Sequence, residues 1–261
     1  MEKVETLIST MNQTDFSLLE KMNVSTDCVV VNQCGKVGYF EFKHRQHFVK
    51  WINSNQVGLS KSRNLALSYS SADICVISDD DEVFYDGFSE KLLYFYKKHP
   101  KTSLITFNID SIGILRKRFF IKKEKKLHFF NIYRYGSARI SFKREFVLRN
   151  SVFFNITIGA GTERIPSGED NLFVKECLKH GARPRGAPIS VAKIDDSNSG
   201  WFSGFDENYF VHRGELMKML HPIAYPFMDF QYLLRHKSVY EKIGFIKAFR
   251  LMTKGRNHEK N

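Results

Sequence analysis

A short apolar run that ends in a cluster of carboxylates constrains the fold more than any other feature of this sequence. The run Ile74-Cys75-Val76-Ile77 contains no polar residue, and Ser78-Asp79-Asp80-Asp81-Glu82 follows it directly. A strand without polar alternation is typical of a parallel sheet that is covered by helices on both faces. The sequence therefore predicts an α/β fold in which these carboxylates lie at the carboxyl end of a central strand, where such sheets bind ligands.

Alternating strand and helix patterns on both sides of this run favour the same fold. Further strands are predicted over residues 4–9, 27–31, 48–52, 104–109, 140–142 and 189–194, and helical segments over 15–22, 60–69, 88–99, 143–149 and 167–180. Residues 116–126 hold seven basic side chains against Glu124 and are predicted to form an inserted hairpin. We expect a mainly parallel sheet with helices on both faces in residues 1–205, and a basic helical extension over 206–261 that is broken at Pro222 and Pro226.

The composition is that of a basic globular protein. With 261 residues and 43% hydrophobic content the chain can bury a large core, and its net charge of +12 predicts an anionic partner. No apolar run reaches the length of a membrane span, and the first residues do not resemble a signal peptide. The cysteines follow no zinc-binding or disulfide spacing; they are Cys28, Cys34, Cys75 and Cys177. We therefore expect a cytoplasmic protein.

Asp79 and Asp81 are candidate metal ligands. Alternate residues of an extended segment point the same way, so both carboxylates can converge on one hard divalent ion, which prefers oxygen ligands. Clustered carboxylates repel one another unless a cation offsets their charge. The alternative is a solvated acidic turn that caps the next helix.

A second candidate segment, Gly58-Leu59-Ser60-Lys61-Ser62-Arg63-Asn64, precedes the acidic strand. It places small residues, a helix start capped by Ser60, and the cations Lys61 and Arg63 where they can hold phosphate groups. The alternative is an ordinary capped helix with exposed Lys and Arg side chains.

A third segment, Gly168-Glu169-Asp170-Asn171, opens a later helix. A carboxylate that is fixed by a helix and faces a gap can act as a general base. The alternative is structural, because acidic residues in a first turn interact favourably with the helix dipole. The glycine-containing stretch Ile158-Gly159-Ala160-Gly161-Thr162 precedes the helix and is expected to let a substrate approach the backbone.

In their order and spacing, these segments resemble the family 2 glycosyltransferases of the GT-A fold. The resemblance covers about residues 4–195 and includes a first strand that ends in Ser9-Thr10 and a second that ends near Asn32. It implies that Asp79 and Asp81 hold Mg²⁺ or Mn²⁺ on the donor diphosphate. It further implies a nucleotide-sugar site formed by Ser9, Thr10, Asn32, Lys61, Arg63, Asn64, Asp79 and Asp80.

The resemblance also implies the reaction. Asp170, or alternatively Glu169, removes the proton of an acceptor hydroxyl, which displaces the nucleoside diphosphate with inversion at the anomeric carbon. We expect a UDP-sugar donor and a saccharide or polyprenyl-linked acceptor in the synthesis of cell-surface polysaccharide. The sequence departs from the family at Asn32-Gln33, where an acidic residue usually contacts the base. A third metal ligand stays open, because Asp195-Asp196-Ser197-Asn198 stands where the family often has a histidine, and His212 is the nearest later candidate.

Two other functions use the same features. A nucleotidyltransferase also employs paired carboxylates and a metal on an α/β sheet, but it needs a second acidic cluster and no base on a separate helix. A nucleic-acid-binding protein would explain the basic residues 116–126, yet no nucleic-acid-binding motif is visible, and we expect no nucleic-acid partner.

The basic C-terminal segment is predicted to lie on an anionic membrane surface. Residues 221–261 hold eight Lys or Arg residues against three acidic ones, and apolar residues recur at helical spacing over 239–252. We interpret residues 239–252 as an interfacial helix that keeps the enzyme beside a lipid-linked acceptor. The alternative is a helix that packs on the rest of the fold.

Overall fold

The computed structural model describes residues 2–112, 120–129, 131–134, 136, 139–162, 164–195 and 204–257. The chain forms two compact units, of which the first comprises Met1–Ile156 and Glu169–Asn198, and the second comprises Thr157–Gly168 and Ser199–Asn261. The predicted division between residues 205 and 206 stays a prediction. These units differ from it in that residues 157–168 group with the C-terminal helices.

The first unit is built on a mixed sheet of ten strands in the described residues, in the order β3-β4-β2-β1-β5-β9-β7-β10-β6, with β8 paired to β10. The strands are β1 (Val4–Met11), β2 (Asp27–Gln33), β3 (Gly38–His44), β4 (His47–Ser54), β5 (Ile74–Asp79), β6 (Glu82–Phe84), β7 (Leu104–Ser111), β8 (Lys125–Lys126), β9 (Ile140–Lys143) and β10 (Pro184–Ile194). Strands β1, β2, β4, β5, β7 and β10 all run in one direction, because β9 is antiparallel to both β5 and β7. The predicted mainly parallel sheet is confirmed.

Helices cover both faces of this sheet, as predicted. The helices of the first unit are α1 (Leu18–Lys21), α2 (Leu59–Tyr69), α3 (Phe88–Lys98), α4 (Arg144–Arg149) and α5 (Glu169–Lys179). Ile74 and Val76 of β5 join a core cluster with α1 and α3, whereas Cys75 and Ile77 join a second cluster with α2, α4 and α5. Alternate residues of one strand thus supply two cores, which explains why the run that predicted the fold is apolar throughout.

Two predicted helix starts need correction. Helix α2 begins at Leu59, after Gly58 with φ of 130°, so Ser60 lies inside the helix and does not cap it. Helix α1 is shorter than residues 15–22, because the Asp15 carboxylate accepts a hydrogen bond from Ser17 N at 2.8 Å and holds a turn before the helix.

The sequence did not predict the antiparallel pairings of the sheet. Strands β3 and β4 form a hairpin at one edge, where only residues 48–52 were predicted, and β6 pairs antiparallel to β10. Of the predicted hairpin over 116–126, residues 116–119 lie outside the described part of the chain. Lys125–Lys126 forms β8.

The second unit is helical. It contains α6 (Glu207–Leu220), α7 (Tyr225–Arg235) and α8 (Phe245–Asn257) around a core that includes Phe210, Leu233 and Met252, and a short 3₁₀ helix at Lys237–Val239. Asp206 caps α6 by accepting a hydrogen bond from Tyr209 N at 2.8 Å. Pro226 lies in the first turn of α7 and does not break it, since a proline lacks only an amide that has no helical partner there.

Helices α6 and α8 approach closely through glycines. A Cβ atom on Gly214 would lie 2.0 Å from the Met252 carbonyl oxygen, and one on Gly255 would lie 1.9 Å from the Val211 carbonyl oxygen. The helix predicted over residues 239–252 is also interrupted, because Gly244 has φ of 79° and α8 starts only at Phe245. Val239 and Met252 are buried in the core of this unit, so much of the apolar side predicted to meet a membrane packs within the fold, whereas Ile246 of that side is exposed.

Candidate active site

The predicted donor-site residues of β1, β2 and β5 meet at the carboxyl edge of the sheet. In the parallel ladders, Ser9 lies beside Asp79 and Thr10 lies beside Asn32. Because β1 is the central strand of the three, its last residues are adjacent to both neighbouring strand ends. The sequence prediction that these side chains share one edge of the sheet agrees with this register.

Arg63 links the acidic strand end to the acidic helix start. Its guanidinium group is fully buried; Nη2 lies 2.8 Å from Asp79 Oδ1 and Nη1 lies 2.9 Å from Glu169 Oε1. Burial opposes the charge of Arg63, but the carboxylates of Asp79 and Glu169 raise its pKa overall. Arg63 was predicted to contact the donor, and here it holds two candidate site carboxylates at fixed positions.

The four carboxylates after β5 have different surroundings. Asp79 is about one-third exposed, Asp80 and Asp81 are exposed, and Glu82 is buried. Asp80 accepts a hydrogen bond from Thr10 Oγ1 at 2.6 Å. Burial and the nearby Asp79 raise the pKa of Glu82 well above its usual range, and Ser78 Oγ donates to its carboxyl group at 3.0 Å. The repulsion within this run is therefore smaller than four charges would produce.

Asp79 and Asp81 carry the oxygen ligands that a hard divalent cation prefers. Asp79 uses Oδ1 for Arg63, and its Oδ2 accepts no hydrogen bond from the described residues. Those residues contain no group of three or more His, Cys, Asp or Glu side chains arranged for a metal. Mg²⁺ commonly takes one or two carboxylates together with substrate phosphates and water, so two aspartates at an open edge suit an ion that arrives with a diphosphate.

The third metal ligand stays open. Asp195 directly follows β10, whereas residues 196–198 of the same predicted segment lie outside the described part of the chain. His212, the later candidate, lies on α6 of the second unit.

Glu169 and Asp170 form the first turn of α5, as the sequence predicted. Both are buried, and Asp170 Oδ1 accepts a hydrogen bond from Asn171 N at 2.8 Å. Burial and the adjacent Glu169 raise the pKa of Asp170 to about 7, although Arg63 opposes this shift. A carboxyl group with such a pKa can accept a proton near neutral pH, as a general base must.

The side chains of Lys61 and Asn64, both on α2, have different surroundings. Lys61 is exposed near the start of the helix, where it can contact a phosphate. Asn64 instead uses both ends of its amide on one residue: Nδ2 donates to Phe154 O at 2.8 Å, and Oδ1 accepts from Phe154 N at 2.8 Å. The Phe154 ring also lies under Arg63, 5.4 Å from its guanidinium carbon. Asn64 thus fixes the segment that packs against Arg63.

An amide network at the ends of β2 and β4 was not predicted. Asn32 Oδ1 accepts from Gln13 N at 3.0 Å, and Asn32 Nδ2 donates to Gln13 O and to Asn53 Oδ1. Trp51 Nε1 also donates to Asn53 Oδ1 at 3.0 Å. Asn32 therefore holds the loop that follows β1. It lies at the end of the second strand, where the family resemblance leads us to expect an acidic residue. Recognising the β3–β4 hairpin would have placed Asn53 at this edge.

Two further contacts tie α2 to the strand ends. Ser62 Oγ donates to Ser9 Oγ at 2.8 Å, and Gly58 N donates to Gln33 Oε1 at 2.7 Å. The backbone amide of Gly58 is consequently engaged within the protein. The predicted glycine-containing approach segment, residues 158–162, belongs to the second unit, where Gly159 N donates to Ile165 O at 2.7 Å.

Comparison with known proteins agrees with the resemblance. The family model for glycosyl transferase family 2 matches residues 38–166, which include α2 and the acidic end of β5. The matched region stops just before Glu169 and Asp170 and does not contain β1 or β2. No curated protein sequence matches the chain.

Solved structures share the fold at low sequence identity. S. aureus TarS, residues 1–349, matches with a TM-score of 0.65 and 14% identity over 98% of this chain and 82% of that one. The same TarS fragment in complex with UDP-GlcNAc gives a TM-score of 0.65 and 14% identity, covering 94% and 77% of the two chains. The mannosyltransferase PcManGT from Pyrobaculum calidifontis, in complex with GDP-Man and Mn²⁺, gives 0.53 and 12% identity over 97% and 74%.

Proposed function

Because the family model for glycosyl transferase family 2 matches residues 38–166 and the fold is that of solved GT-A glycosyltransferases, we propose that this chain is a family 2 glycosyltransferase that transfers a sugar from a UDP-sugar to an acceptor hydroxyl with inversion, using a divalent metal. The acceptor is a saccharide or a lipid-linked saccharide of a cell-surface polysaccharide. The family match favours glycosyl transfer over the nucleotidyltransferase and nucleic-acid-binding alternatives. The TarS complex with UDP-GlcNAc supports a UDP-sugar donor.

The observation that carries the proposal is the position of Arg63 between the two acidic motifs. It bonds Asp79 at the end of β5 and Glu169 at the start of α5, which are 90 residues apart in the chain. A donor site and a base must lie close together for direct displacement, because effective catalysis requires both reactants in near-attack geometry. The Arg63 bridge supplies that proximity for Asp79 and Asp170, the neighbour of Glu169.

Each site residue has a distinct role in the proposed reaction. As the acceptor oxygen forms its bond to the anomeric carbon, Asp170 takes the acceptor proton, and the bond from that carbon to the diphosphate oxygen breaks. Lys61 neutralises part of the charge on the departing nucleoside diphosphate. Asp79 and Asp81 would hold Mn²⁺ or Mg²⁺, which supplies positive charge beside the diphosphate when bound. Thr10 orients Asp80 at the same edge.

A thermal-shift screen of nucleotide-sugars tests this proposal. UDP-sugars and GDP-mannose are each added with Mn²⁺, with Mg²⁺ or with EDTA to the full chain. A donor at about one hundred times its dissociation constant adds about 2.7 kcal/mol, which raises the melting temperature by roughly 5 to 10 °C. We expect a UDP-sugar to produce this shift with metal and to lose most of it in EDTA.

Matched variants locate the effect. Asp81→Asn should lose the metal-dependent shift, while Glu145→Gln, which changes an exposed carboxylate on α4, should keep it. If no nucleotide-sugar stabilises the folded protein with either metal, the proposed donor chemistry is wrong. If Asp81→Asn keeps the full shift, the metal assignment is wrong.

A further inference from the structure

The helical unit exposes a row of large apolar side chains on and next to α7. On a helix, positions separated by three, four and seven residues share one face, and this spacing relates the three residues of the row that lie within α7. The exposed fractions of the row are 95% for Ile223 in the preceding turn, 65% for Phe227, 44% for Phe230 and 52% for Leu234. A flanking side of α7 is buried through Asp229 and Leu233.

The start of α8 extends this row. The Phe230 and Phe245 rings meet edge to face with centroids 5.7 Å apart, which puts the beginning of α8 beside the α7 row. The next residue, Ile246, is 68% exposed. Arg250 and Lys254 follow Ile246 at four-residue spacing and are also exposed, so apolar and basic side chains share one face of α8.

The surroundings of the row are strongly basic. Within residues 221–257, all of which the structure describes, Glu241 is the only exposed carboxylate. Arg250 and Lys254 form no ion pair with the described residues, whereas Lys247 is paired with Glu207. The further exposed cations of this segment are Arg235, Lys237 and Lys242. We call the set Ile223, Phe227, Phe230, Leu234, Ile246, Arg250 and Lys254 the α7–α8 surface.

We propose that the α7–α8 surface binds an anionic lipid bilayer. Apolar side chains beside unpaired cations fit the boundary between headgroups and acyl chains, where the apolar groups leave water and the cations meet anionic headgroups. Charge favours this partner over an ordinary apolar protein surface. Among the described residues, we find no helix with the length and apolar character of a membrane span. Of the membrane helix predicted over residues 239–252, only Ile246 and Arg250 belong to this surface, because Val239 and Met252 are buried.

Cosedimentation of the full chain with lipid vesicles tests the proposal without any nucleotide-sugar, so its outcome is independent of the transfer reaction. The protein should bind vesicles of phosphatidylcholine and phosphatidylglycerol, bind far less to phosphatidylcholine alone, and be released by high salt. Arg250→Gln with Lys254→Gln should weaken binding on the order of 30-fold. The matched control is Lys91→Gln with Lys97→Gln, two exposed lysines of α3, which should bind like the wild type.

The apolar row needs its own variant. Phe227→Ser with Leu234→Ser should weaken vesicle binding at least about tenfold, because these side chains would no longer be transferred out of water. Tyr94→Ser, at a 70% exposed position of α3, is the control. All of these substitutions are at exposed sites, so circular dichroism and melting temperature should match the wild type.

A fluorescent probe reports whether the row enters the bilayer. The tryptophan introduced by Phe227→Trp should shift its emission to the blue, relative to the wild type, when anionic vesicles are added. The proposal is overturned if the wild type does not bind anionic vesicles, if the paired variants bind as tightly as their controls, or if the emission of the Phe227→Trp variant does not move. A second copy of the chain would cover the row if the wild type does not bind vesicles and light scattering shows that it is a dimer. If Phe227→Ser then dissociates this dimer, the proposal is also overturned.

Discussion

Replacing Arg63 by methionine should destabilise the protein strongly, because it leaves a buried carboxylate without its cation. The Glu169 side chain is 6% exposed and lies 2.9 Å from the guanidinium group. Removing one partner of a buried ion pair reduces stability by about 3–5 kcal/mol. The second partner, Asp79, is one-third exposed and regains water, so it adds at most about 1 kcal/mol. A typical domain has only about 5–15 kcal/mol in total.

A double-mutant cycle separates lost charge pairing from lost packing. Arg63→Met, Glu169→Gln and the double variant are unfolded in urea and followed by circular dichroism. If the unpaired carboxylate causes the loss, Arg63→Met with Glu169→Gln should be more stable than Arg63→Met by at least about 2 kcal/mol. Arg149→Met, at an exposed position of α4, should stay within about 0.5 kcal/mol of the wild type. A loss below about 1 kcal/mol for Arg63→Met, or no recovery in the double variant, would refute the assignment of Arg63.

Three other substitutions have expected outcomes. Asp170→Asn should slow turnover by about 10²- to 10⁴-fold with little change in donor affinity. The kcat of the wild type should rise with pH and level off above the pKa of about 7, and the variant should lack this rise. If the variant keeps the rise, Asp170 is not the base. Gly214→Ala should lower the free energy of unfolding by about 1–3 kcal/mol, since its Cβ would meet the Met252 carbonyl, and an unchanged urea midpoint would contradict the close packing. Asn64→Ala should lower it by about 1–3 kcal/mol by removing two hydrogen bonds to the Phe154 backbone, whereas a loss of donor affinity at unchanged stability would make Asn64 a binding residue.

The central sheet was accessible from the sequence because its signal is local. An apolar run such as Ile74-Cys75-Val76-Ile77 is stable only with helices on both faces, and the carboxylates after it must then lie at the ligand-binding edge. The β3–β4 hairpin was missed because β3 is an edge strand with mostly exposed or half-buried side chains. Its weak burial leaves little periodicity to detect.

The roles of individual site residues were less accessible, because they depend on contacts between distant parts of the chain. A lysine or arginine near a helix start indicates a phosphate contact, yet Arg63 is fully buried between Asp79 and Glu169. The Glu169 partner is 106 residues away, a separation that no local pattern encodes. The position of Asp170 was easier to predict, because this residue belongs to a motif that opens a helix.

The C-terminal helices show how a correct composition can mislead about placement. The basic and apolar character of residues 221–257 was visible, but helical spacing alone does not tell an exposed face from a buried one. Gly214 and Gly255 let α6 and α8 pack closely, and the apolar side of α8 is used there. Most of the exposed apolar residues lie on α7, where Phe227 and Leu234 face outward, and Ile246 at the start of α8 adds to them.

The most direct test of glycosyl transfer at this site is the release of nucleoside diphosphate from the donor that stabilises the protein best. Release is measured for the wild type, Asp81→Asn and Glu145→Gln, each with Mn²⁺ and with EDTA, first with water and then with candidate saccharides as acceptor. We expect metal-dependent release that a saccharide accelerates in the wild type and in Glu145→Gln, and none above background in Asp81→Asn. Equal release by Asp81→Asn, or full activity in EDTA, would contradict a metal-dependent transfer at the acidic end of β5.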